Sequence, residues 1–329
     1  MRRKTLLTIM LGSMLLLTGC LARKDPLPET TLIPGTEVTL PTVSEERVRE
    51  HREATLWFRF LDEPYLAPET RTVTQLSSQP YEMALLTALF SGPGTQHTEL
   101  VSLFPDGARP LSTIRQGRRL LVTVSSEFGN PLSDEPADWR RDPLWRDEVP
   151  LRRALCMQSI VATVTENCDV DEVVILVEQR DVISESMRLR QSWFMADEED
   201  DGIAPAQVRE DEYLLTAGAT ADAVMTCWER RDWARLYNYI SAVDSFTGVT
   251  KPEYRDFVAQ MESVPKLTGF IVHDAYVRGG GDVATVTASV RLRKDTDAEI
   301  SLDSRCLRLT REDGIWKIGM SGMLGWMEE

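Results

Sequence analysis

Histidine is scarce in this chain, and the residues that build most catalytic and metal sites are scarce with it. The three histidines, His51, His97 and His273, lie far apart. No Cys-x-x-Cys pair or cysteine–histidine cluster has metal-ligand spacing, which excludes the common zinc motifs. The acidic run Glu198–Asp201 lacks the EF-hand spacing and is expected to be a solvated loop rather than a calcium site. A nucleophile elbow, a P-loop and a dinucleotide fingerprint are also absent, so we expect no metal, no cofactor and no enzymatic activity.

Positive charge is also in short supply. The chain carries 37 lysines and arginines against 52 aspartates and glutamates, a formal net charge of −15. Such a surface repels phosphate backbones, so no nucleic-acid partner is expected. It also repels anionic lipid head groups, so membrane attachment would have to come from a lipid. The hydrophobic content of 42% is nevertheless that of a globular protein.

The longest apolar run, from Leu6 to Leu17, is too short to span a membrane, which takes about 20 residues. Arg2-Arg3-Lys4 precede it and Thr18-Gly19-Cys20 follow it, the arrangement of a secretory signal. Thr18-Gly19-Cys20 resembles a bacterial lipobox, which implies a diacylglyceryl group on Cys20 and removal of residues 1–19 as a signal peptide. The alternative is an ordinary signal peptide with a chance cysteine. The resemblance implies a protein anchored by lipid to the outer face of the bacterial cytoplasmic membrane.

A spacer is predicted between the lipid and the first domain. Residues 20–53 contain four prolines and show little apolar periodicity. Because Pro-rich segments are extended and semi-rigid, this tether would hold the first domain away from the membrane. Its last part, Ser44–Glu53, is highly charged and fits either more tether or a solvated helix.

The first folded domain is predicted over residues 54–215, with its core in residues 54–185 and an acidic tail after the core. Alternating and apolar runs predict strands and helices in turn. Pro80 would open the first helix, and Gly92-Pro93 would end it. The result is an α+β domain in which one sheet is backed by two helices. Strands are expected at 54–60, 70–73, 109–115, 118–125 and 173–177, and helices at 81–90 and 151–166. The second helix is expected to carry a single stripe formed by Leu151, Ala154, Leu155, Gln158, Val161 and Val164.

Three sequence blocks in this domain resemble the spore-germination GerMN domain. They are Leu66–Val73 (LAPETRTV), Ala84–Pro93 (ALLTALFSGP), and Gln158–Glu166 followed by Val173–Val177. The blocks occur in the family's order and span the predicted core. The resemblance implies a sheet-plus-helices fold and a role in sporulation or germination through pairing with other envelope proteins. Family members often have two such domains, whereas this sequence shows one, and its Gly129–Pro150 stretch is longer and richer in tryptophan and arginine.

A second domain is predicted over residues 216–329. Periodicity indicates three helices, the last after a capping box at Thr250–Glu253, and alternation then indicates an antiparallel sheet with one buried face. Helices followed by a curved antiparallel sheet resemble the NTF2-like cone, and so do Arg230–Trp233 and Asp313–Ile318. The resemblance implies a pocket for a small ligand, with His273 either lining that pocket as a base or packed within the sheet.

Cysteines other than Cys20 could form disulfides in an oxidising exterior. Cys227 lies beside the apolar face of a predicted helix, and Cys306 alternates with Ile300 and Leu302 on a predicted strand. Both side chains are therefore expected in the same core. There they would form either a disulfide or two buried free thiols.

The Gly129–Pro150 stretch supplies the candidate partner surface. Tryptophan and arginine are enriched at interface hot spots because they bury a large area and keep polar groups. A cationic and aromatic patch on an acidic protein would attract an acidic partner face. The alternative is that both indoles cover the domain's own core. The patch consists of Trp139, Arg140, Arg141, Trp145 and Arg146.

These observations favour a non-enzymatic, lipid-anchored scaffold or assembly protein of the cell envelope, with envelope or sporulation proteins as partners. The rival hypothesis is a ligand-binding or sensory lipoprotein that uses the NTF2-like pocket. A deep polar cavity around His273 would favour the rival. A filled cone with an exposed aromatic ridge near Trp139 would favour the scaffold.

Overall fold

The first strand organises the N-terminal half of the molecule. Strand β1 (Arg49–Phe60) pairs antiparallel with β2 (Leu66–Leu76), and its last two residues also pair with β3 (Leu100–Val101). The strand begins at Arg49 rather than the predicted Ala54, so residues 49–53 form strand instead of tether or helix, and residues 44–48 of that charged stretch lie outside the described residues. The structure, a computed structural model, describes residues 49–179, 185–193, 202–293 and 298–325.

A second sheet contains the other strands of this half. Strands β5 and β6 run parallel, β4 pairs antiparallel with β5, and both β7 and β8 pair antiparallel with β6. The prediction of one sheet is therefore wrong, because a local pattern identifies a strand without identifying its neighbour. The bounds are β4 (Pro110–Gln116), β5 (Arg119–Val124), β6 (Glu172–Glu178), β7 (Ser186–Arg188) and β8 (Gln207–Val208).

Two helices, α1 (Tyr81–Phe90) and α2 (Trp145–Asn167), pack against both sheets. Helix α1 has the predicted bounds, whereas α2 begins before the predicted Leu151 and contains Pro150. Every side chain of α2 from Leu155 to Val164 is buried, so the predicted single apolar stripe is wrong there. Burial on all sides fits a helix that lies between two sheets. Short 3-10 helices occur at Ser126–Gly129, Trp139–Arg141, Gln191–Trp193 and Asp211–Tyr213.

Polar side chains of α2 complete the hydrogen bonding of β1. The Thr55 N–H donates to Asn167 Oδ1 at 3.0 Å, and Asn167 Nδ2 donates to the Thr55 carbonyl at 2.7 Å. The Trp57 N–H donates to Thr163 Oγ1 at 3.1 Å, and Ser159 Oγ donates to the Trp57 carbonyl at 2.6 Å. Residues four apart share a helix face, and residues two apart share a strand edge. The helix therefore takes the place of a neighbouring strand and satisfies backbone groups of β1.

The C-terminal half places three helices before an antiparallel sheet with the strand order β12-β11-β10-β9. Alternate residues of β10 from Ala284 to Leu292 are buried, and α3 packs on β9, β10 and β12. The predicted alternation is thus confirmed for β10. The bounds are α3 (Ala217–Arg230), α4 (Trp233–Asn238), α5 (Tyr254–Glu262), β9 (Lys266–Val277), β10 (Val283–Arg293), β11 (Glu299–Glu312), β12 (Ile315–Ile318) and α6 (Met320–Leu324).

The predicted capping box before α5 is wrong. The N-cap residue is Glu253, whose side chain makes no capping hydrogen bond to the described helix, while Thr250 forms an isolated bridge with Val243. Thr250 is thus too far upstream to cap the helix. By contrast, Thr216 caps α3 as a threonine should, because its Oγ1 accepts from the Ala219 N–H at 3.2 Å.

The N-terminal and C-terminal halves belong to one compact unit, residues 47–329. Thr216, where the second domain is predicted to begin, is the residue just before α3. The division of the chain into a 54–215 domain and a 216–329 domain stays a prediction. In the part of the chain that the structure describes, no helix is both long and apolar enough to cross a membrane.

Candidate functional site

A buried ion pair fixes the loop after α1 onto β2. Glu69 is 1% exposed, and Arg71 donates to its two carboxylate oxygens at 2.8 and 2.9 Å. The Gly94 N–H donates to Glu69 Oε2 at 3.0 Å, and Arg71 also donates to the Gly92 carbonyl at 2.9 Å. A charge inside a protein is stable only when it is paired and hydrogen-bonded in this way. The pair therefore joins two of the blocks on which the GerMN resemblance depends.

The buried guanidinium of Arg59 ties α2 to the turn after β1. Arg59 donates to the Glu63 carbonyl at 2.9 Å, to the Asp62 carbonyl at 2.8 Å and to Glu148 Oε1 at 2.7 Å. Burial by itself would raise the pKa of Glu148, but hydrogen bonds from Arg59 and Arg152 lower that pKa below its usual value. Glu148 is thus an anion that joins two arginines at the start of α2.

Charged side chains cross the contact between the described parts of residues 49–208 and of residues 209–325, which we call the seam. Arg235 of α4 forms a bidentate ion pair with Glu63, a residue that is 4% exposed. The hydrogen bonds to Glu63 raise the pKa of Arg235 above its ordinary value. Lys317 of β12, which is 3% exposed, donates to Glu99 Oε1 at 2.6 Å. Both pairs favour one orientation of the halves, because separation would leave buried charges unpaired.

Backbone contacts close the seam as well. The Leu215 N–H donates to the Leu66 carbonyl at 2.8 Å. Gly314, in the turn between β11 and β12, approaches Pro68 so closely that a Cβ on Gly314 would lie 2.6 Å from the Pro68 carbonyl oxygen. The φ of Gly314 is +89°, a value that glycine adopts without steric cost. The tight approach of β2 to this turn therefore requires glycine.

A cavity of about 470 Å³ opens along the seam, and we call it the seam cavity. The two tryptophans in its wall, Trp57 and Trp316, each lie beneath an arginine side chain. The Arg209 guanidinium is 5.4 Å from the centre of the Trp57 ring, and the Arg311 guanidinium is 4.5 Å from that of Trp316. Arginines over indole rings make attractive cation–π contacts. The volume lies in the range of small-molecule sites. The wall also includes Pro68, Glu166, Asp211, Leu214, Thr216 and Ala217.

Comparison with known proteins identifies the central part of the N-terminal half. Residues 57–182 match the family described as "Germane: Sporulation and spore germination". These residues form a Germane domain. The blocks that predicted a GerMN domain all lie inside this range, so the prediction of that domain is confirmed. No curated protein matches the chain.

Solved structures with similar arrangements are remote. The tandem GerMN domains of the sporulation protein GerM from Bacillus subtilis have 16% identity and a TM-score of 0.32, over 50% of this chain and 48% of that one. A proposed lipoprotein from Clostridium perfringens has 17% identity and a TM-score of 0.27, over 49% and 89%. A Catenulispora acidiphila protein with a ketosteroid isomerase-like fold has 14% identity and a TM-score of 0.25, over 34% and 95%. The chain spans about half the length of the GerM structure, and the NTF2-like second domain stays a prediction.

The first residue of the predicted partner patch, Trp139, is buried in the Germane domain. It is 3% exposed, with the guanidinium groups of Arg140 and Arg153 at 4.3 and 5.2 Å from its ring centre. Arg153 also lies 5.4 Å from the ring of Trp193, which stacks on Phe128 at 5.2 Å. This series of rings and guanidinium groups covers the domain's own core. Trp139 is therefore not accessible to a partner.

The other end of the patch is more accessible. Arg141 and Arg146 are exposed, and Leu144 between them is 79% exposed. Trp145 is half-buried, with the Arg152 guanidinium 4.9 Å from its ring centre. The exposed residues Arg141, Leu144 and Arg146 lie at the start of α2, and we call them the α2 tip.

Neither alternative for Cys227 and Cys306 holds in full, because the two form no disulfide and only Cys227 is buried, whereas Cys306 is exposed. A bulge at Ser304, whose φ is 53°, places two β11 residues opposite Ser289 of β10. The extra residue reverses the alternation, so Cys306 and Leu302 face opposite sides of the sheet. Burial raises the pKa of the Cys227 thiol to about 12, which keeps the thiol protonated and unreactive.

The three histidines lie in separate places, and the described ranges contain no cluster of histidine, cysteine and acidic residues that could hold a metal. Exposed His51 contacts Thr74 Oγ1 at 3.1 Å, and His97 is half-buried in the loop after α1. His273 Nε2 lies 2.9 Å from Ser289 Oγ on the exposed face of the sheet. His273 is therefore a residue of the sheet with one hydrogen-bond contact, as the second of the two alternatives predicted, although its side chain is exposed.

Two predictions concern residues that the structure does not describe. Cys20 and the acidic run Glu198–Asp201 lie outside the described residues. The described residues do not separate the two functional hypotheses, since His273 lies on the exposed face of its sheet and Trp139 is buried. The residues of the seam were missed altogether, because their partners are distant in sequence and no local pattern marks them.

Proposed function

We propose that this protein is a non-enzymatic, lipid-anchored scaffold of the bacterial envelope that acts in sporulation or spore germination. The Germane domain supports that biological context. The seam is the observation that supports the scaffold role, since ion pairs of buried Glu63 with Arg235 and of buried Lys317 with Glu99 join the Germane domain to the C-terminal half. A body that is already rigid loses little conformational freedom when a partner binds.

In this proposal the lipid on Cys20 holds the chain at the membrane, and the Pro-rich tether sets the height of the folded unit above it. The Germane domain and the NTF2-like domain then present their surfaces in one fixed relation to envelope or sporulation proteins. The excess of acidic residues makes acidic polymers such as nucleic acids unfavourable partners.

The α2 tip is the surface we propose for a protein partner. An apolar Leu144 between two exposed arginines combines an anchor that can be buried with charges that attract acidic residues. The tip leads into helix α2, whose first turns are held by Glu148, Arg59 and Arg152. The backbone that carries Leu144 is therefore well supported, which limits the entropy lost on binding.

Replacing Leu144 and Arg146 together with alanine should reduce the capture of envelope partners by in-cell crosslinking. Loss of an anchor worth about 1–2 kcal/mol would lower capture about 5- to 30-fold. The unfolding free energy should change by less than about 0.5 kcal/mol, as for other surface substitutions. A matched control is Ile271→Ala with Lys266→Ala, an exposed apolar and basic pair on β9. Unchanged capture, or an equal loss in the control, would contradict the proposal for the tip.

Replacing Cys20 with alanine should remove the protein from the membrane fraction or leave its signal peptide uncleaved, because no thiol remains to carry the lipid. Acyl labelling in cells and the mass of the mature N-terminus provide the measurement. Cys168→Ala is the control, since it removes a thiol from the folded unit and should leave labelling unchanged. An unmodified N-terminus at any residue other than Cys20 would refute lipid anchoring.

A further inference from the structure

The two arginines of the seam cavity differ in how they are paired. Arg209 forms ion pairs with Glu166 and, at 3.2 Å, with Asp211. Arg311 forms no ion pair with any carboxylate of the described residues, and Glu166 acts on it only through space. A chain with a net charge of −15 thus presents an unneutralised guanidinium in the wall of a cavity.

The start of α3 adds positive character to the same cavity. Thr216 and Ala217 line the wall, and the first turn of this 14-residue helix contains no acid among its described residues. The N-terminus of a helix carries about half a unit of positive charge. The Arg311 guanidinium and the start of α3 therefore both add positive potential at one cavity.

Apolar groups form much of the remaining wall. Pro68, Leu214 and Val277 line the cavity together with Trp57 and Trp316. Small-molecule sites usually combine such apolar walls with a few polar groups that fix the orientation of the ligand. A ligand for this cavity would therefore have an apolar body and one anionic end.

We propose that the seam cavity binds a small organic monocarboxylate, with the carboxylate on Arg311 and the apolar body against Trp57 and Trp316. The planar guanidinium offers two parallel donors that match a carboxylate. Because Glu166 and Asp211 also line the cavity, an anion with two or more charges would be repelled more strongly than a monoanion. This ligand site does not depend on the scaffold function, and either proposal can fail without the other.

Isothermal titration of the full chain in detergent with 3-phenylpropionate tests this proposal, with 3-phenylpropionamide as the neutral analogue. The carboxylate should bind saturably, and the amide should bind at least about 10-fold more weakly, because hydrogen bonds to charged groups contribute more than neutral ones. Inorganic phosphate should not compete at the same concentration. Saturable binding of the amide with equal affinity, or competition by phosphate, would overturn the assignment of a monocarboxylate.

Two substitutions on β11 test whether the ligand binds at Arg311. Arg311→Gln should weaken 3-phenylpropionate binding about 10- to 100-fold. Arg308→Gln is the matched control, because Arg308 is also on β11 but lies 5.3 Å from the ring of Phe246, outside the cavity. Partition of the ligand into detergent would be the same for all variants and cannot mimic this difference. An equal loss in both variants, or none in either, would overturn the proposal.

A gain of affinity provides a second test that loss of folding cannot imitate. Glu166→Gln removes a carboxylate that lines the cavity, while Arg209 keeps its ion pair with Asp211. This variant should therefore bind 3-phenylpropionate several-fold more tightly. Unchanged or weaker binding by a variant with an unchanged melting temperature would argue against a carboxylate in this cavity.

Discussion

Replacing Arg71 with alanine should lower the free energy of unfolding by about 3–5 kcal/mol, because the substitution leaves a buried carboxylate without its partner. Glu69, which is 1% exposed in the folded protein, would keep the Gly94 N–H as a donor. The loop after α1 would also lose the hydrogen bond from Arg71 to the Gly92 carbonyl. Urea unfolding followed by tryptophan fluorescence and by circular dichroism provides the measurement.

The control for this prediction is an ion pair of the same type at the surface. Arg119 donates to Glu172 Oε1 at 2.6 Å, and both side chains are substantially exposed. Arg119→Ala should therefore cost less than about 1 kcal/mol. Adding Glu69→Gln to Arg71→Ala should recover part of the lost stability, since the buried charge is then removed. Equal costs for Arg71→Ala and Arg119→Ala would contradict the argument.

Local patterns predicted most of the helices and strands correctly. The Germane blocks show why a short motif can indicate a whole domain. Glu69 and Arg71 in one block bond to Gly92 and Gly94 around the end of the next. The blocks are thus parts of one hydrogen-bonded unit, and their joint presence in order indicates the domain. The arrangement of strands into two sheets was not predictable in the same way, because pairing depends on contacts between distant segments.

The side chains of α2 contained a signal that a single-stripe interpretation overlooked. Residues Leu155–Val164 are apolar on every face apart from a few small polar groups, which is typical of a helix buried on all sides. Ser159, Thr163 and Asn167 are spaced four apart and bond to the backbone of β1. Small polar residues at that spacing on an otherwise apolar helix could have indicated contact with a strand edge.

Two other errors have physical causes that the sequence does not display. The bulge at Ser304 reverses the faces of β11, and nothing in the alternation of apolar residues marks the position of the extra residue. The exposure of a tryptophan beside arginines is equally ambiguous, because Arg140 and Arg153 shield Trp139 inside the domain. The same residue types at an interface would give the same local sequence.

The seam is the part of the candidate site that local sequence patterns are least able to predict. Glu63 and Arg235 are 172 residues apart, and Glu99 and Lys317 are 218 residues apart. An acid and a base so distant cannot be paired by spacing, especially in a chain with 52 acids. The Asp313-Gly314 turn is a partial exception, because Asp-Gly is favoured in hairpins whose turn residues have positive φ. Both residues do have positive φ, 49° and 89°.

Replacing Gly314 with alanine should therefore destabilise the folded unit for two separate reasons. A non-glycine residue at a φ of +89° is strained, and the new Cβ would lie 2.6 Å from the Pro68 carbonyl oxygen, a backbone atom that cannot rotate away. We expect a loss of about 2–4 kcal/mol in the free energy of unfolding, together with faster hydrogen exchange at the Leu215 N–H across the seam.

Gly281 supplies a matched control for that substitution. It has a similar φ, +76°, in the turn between β9 and β10, but a Cβ there would have nothing within 4 Å. Gly281→Ala should cost only the backbone strain, about 1–2 kcal/mol, and should leave exchange at Leu215 unchanged. The difference between the two variants isolates the contact of Gly314 with Pro68. If Gly314→Ala costs no more than Gly281→Ala, close packing of β2 on the β11–β12 turn is not what joins the halves.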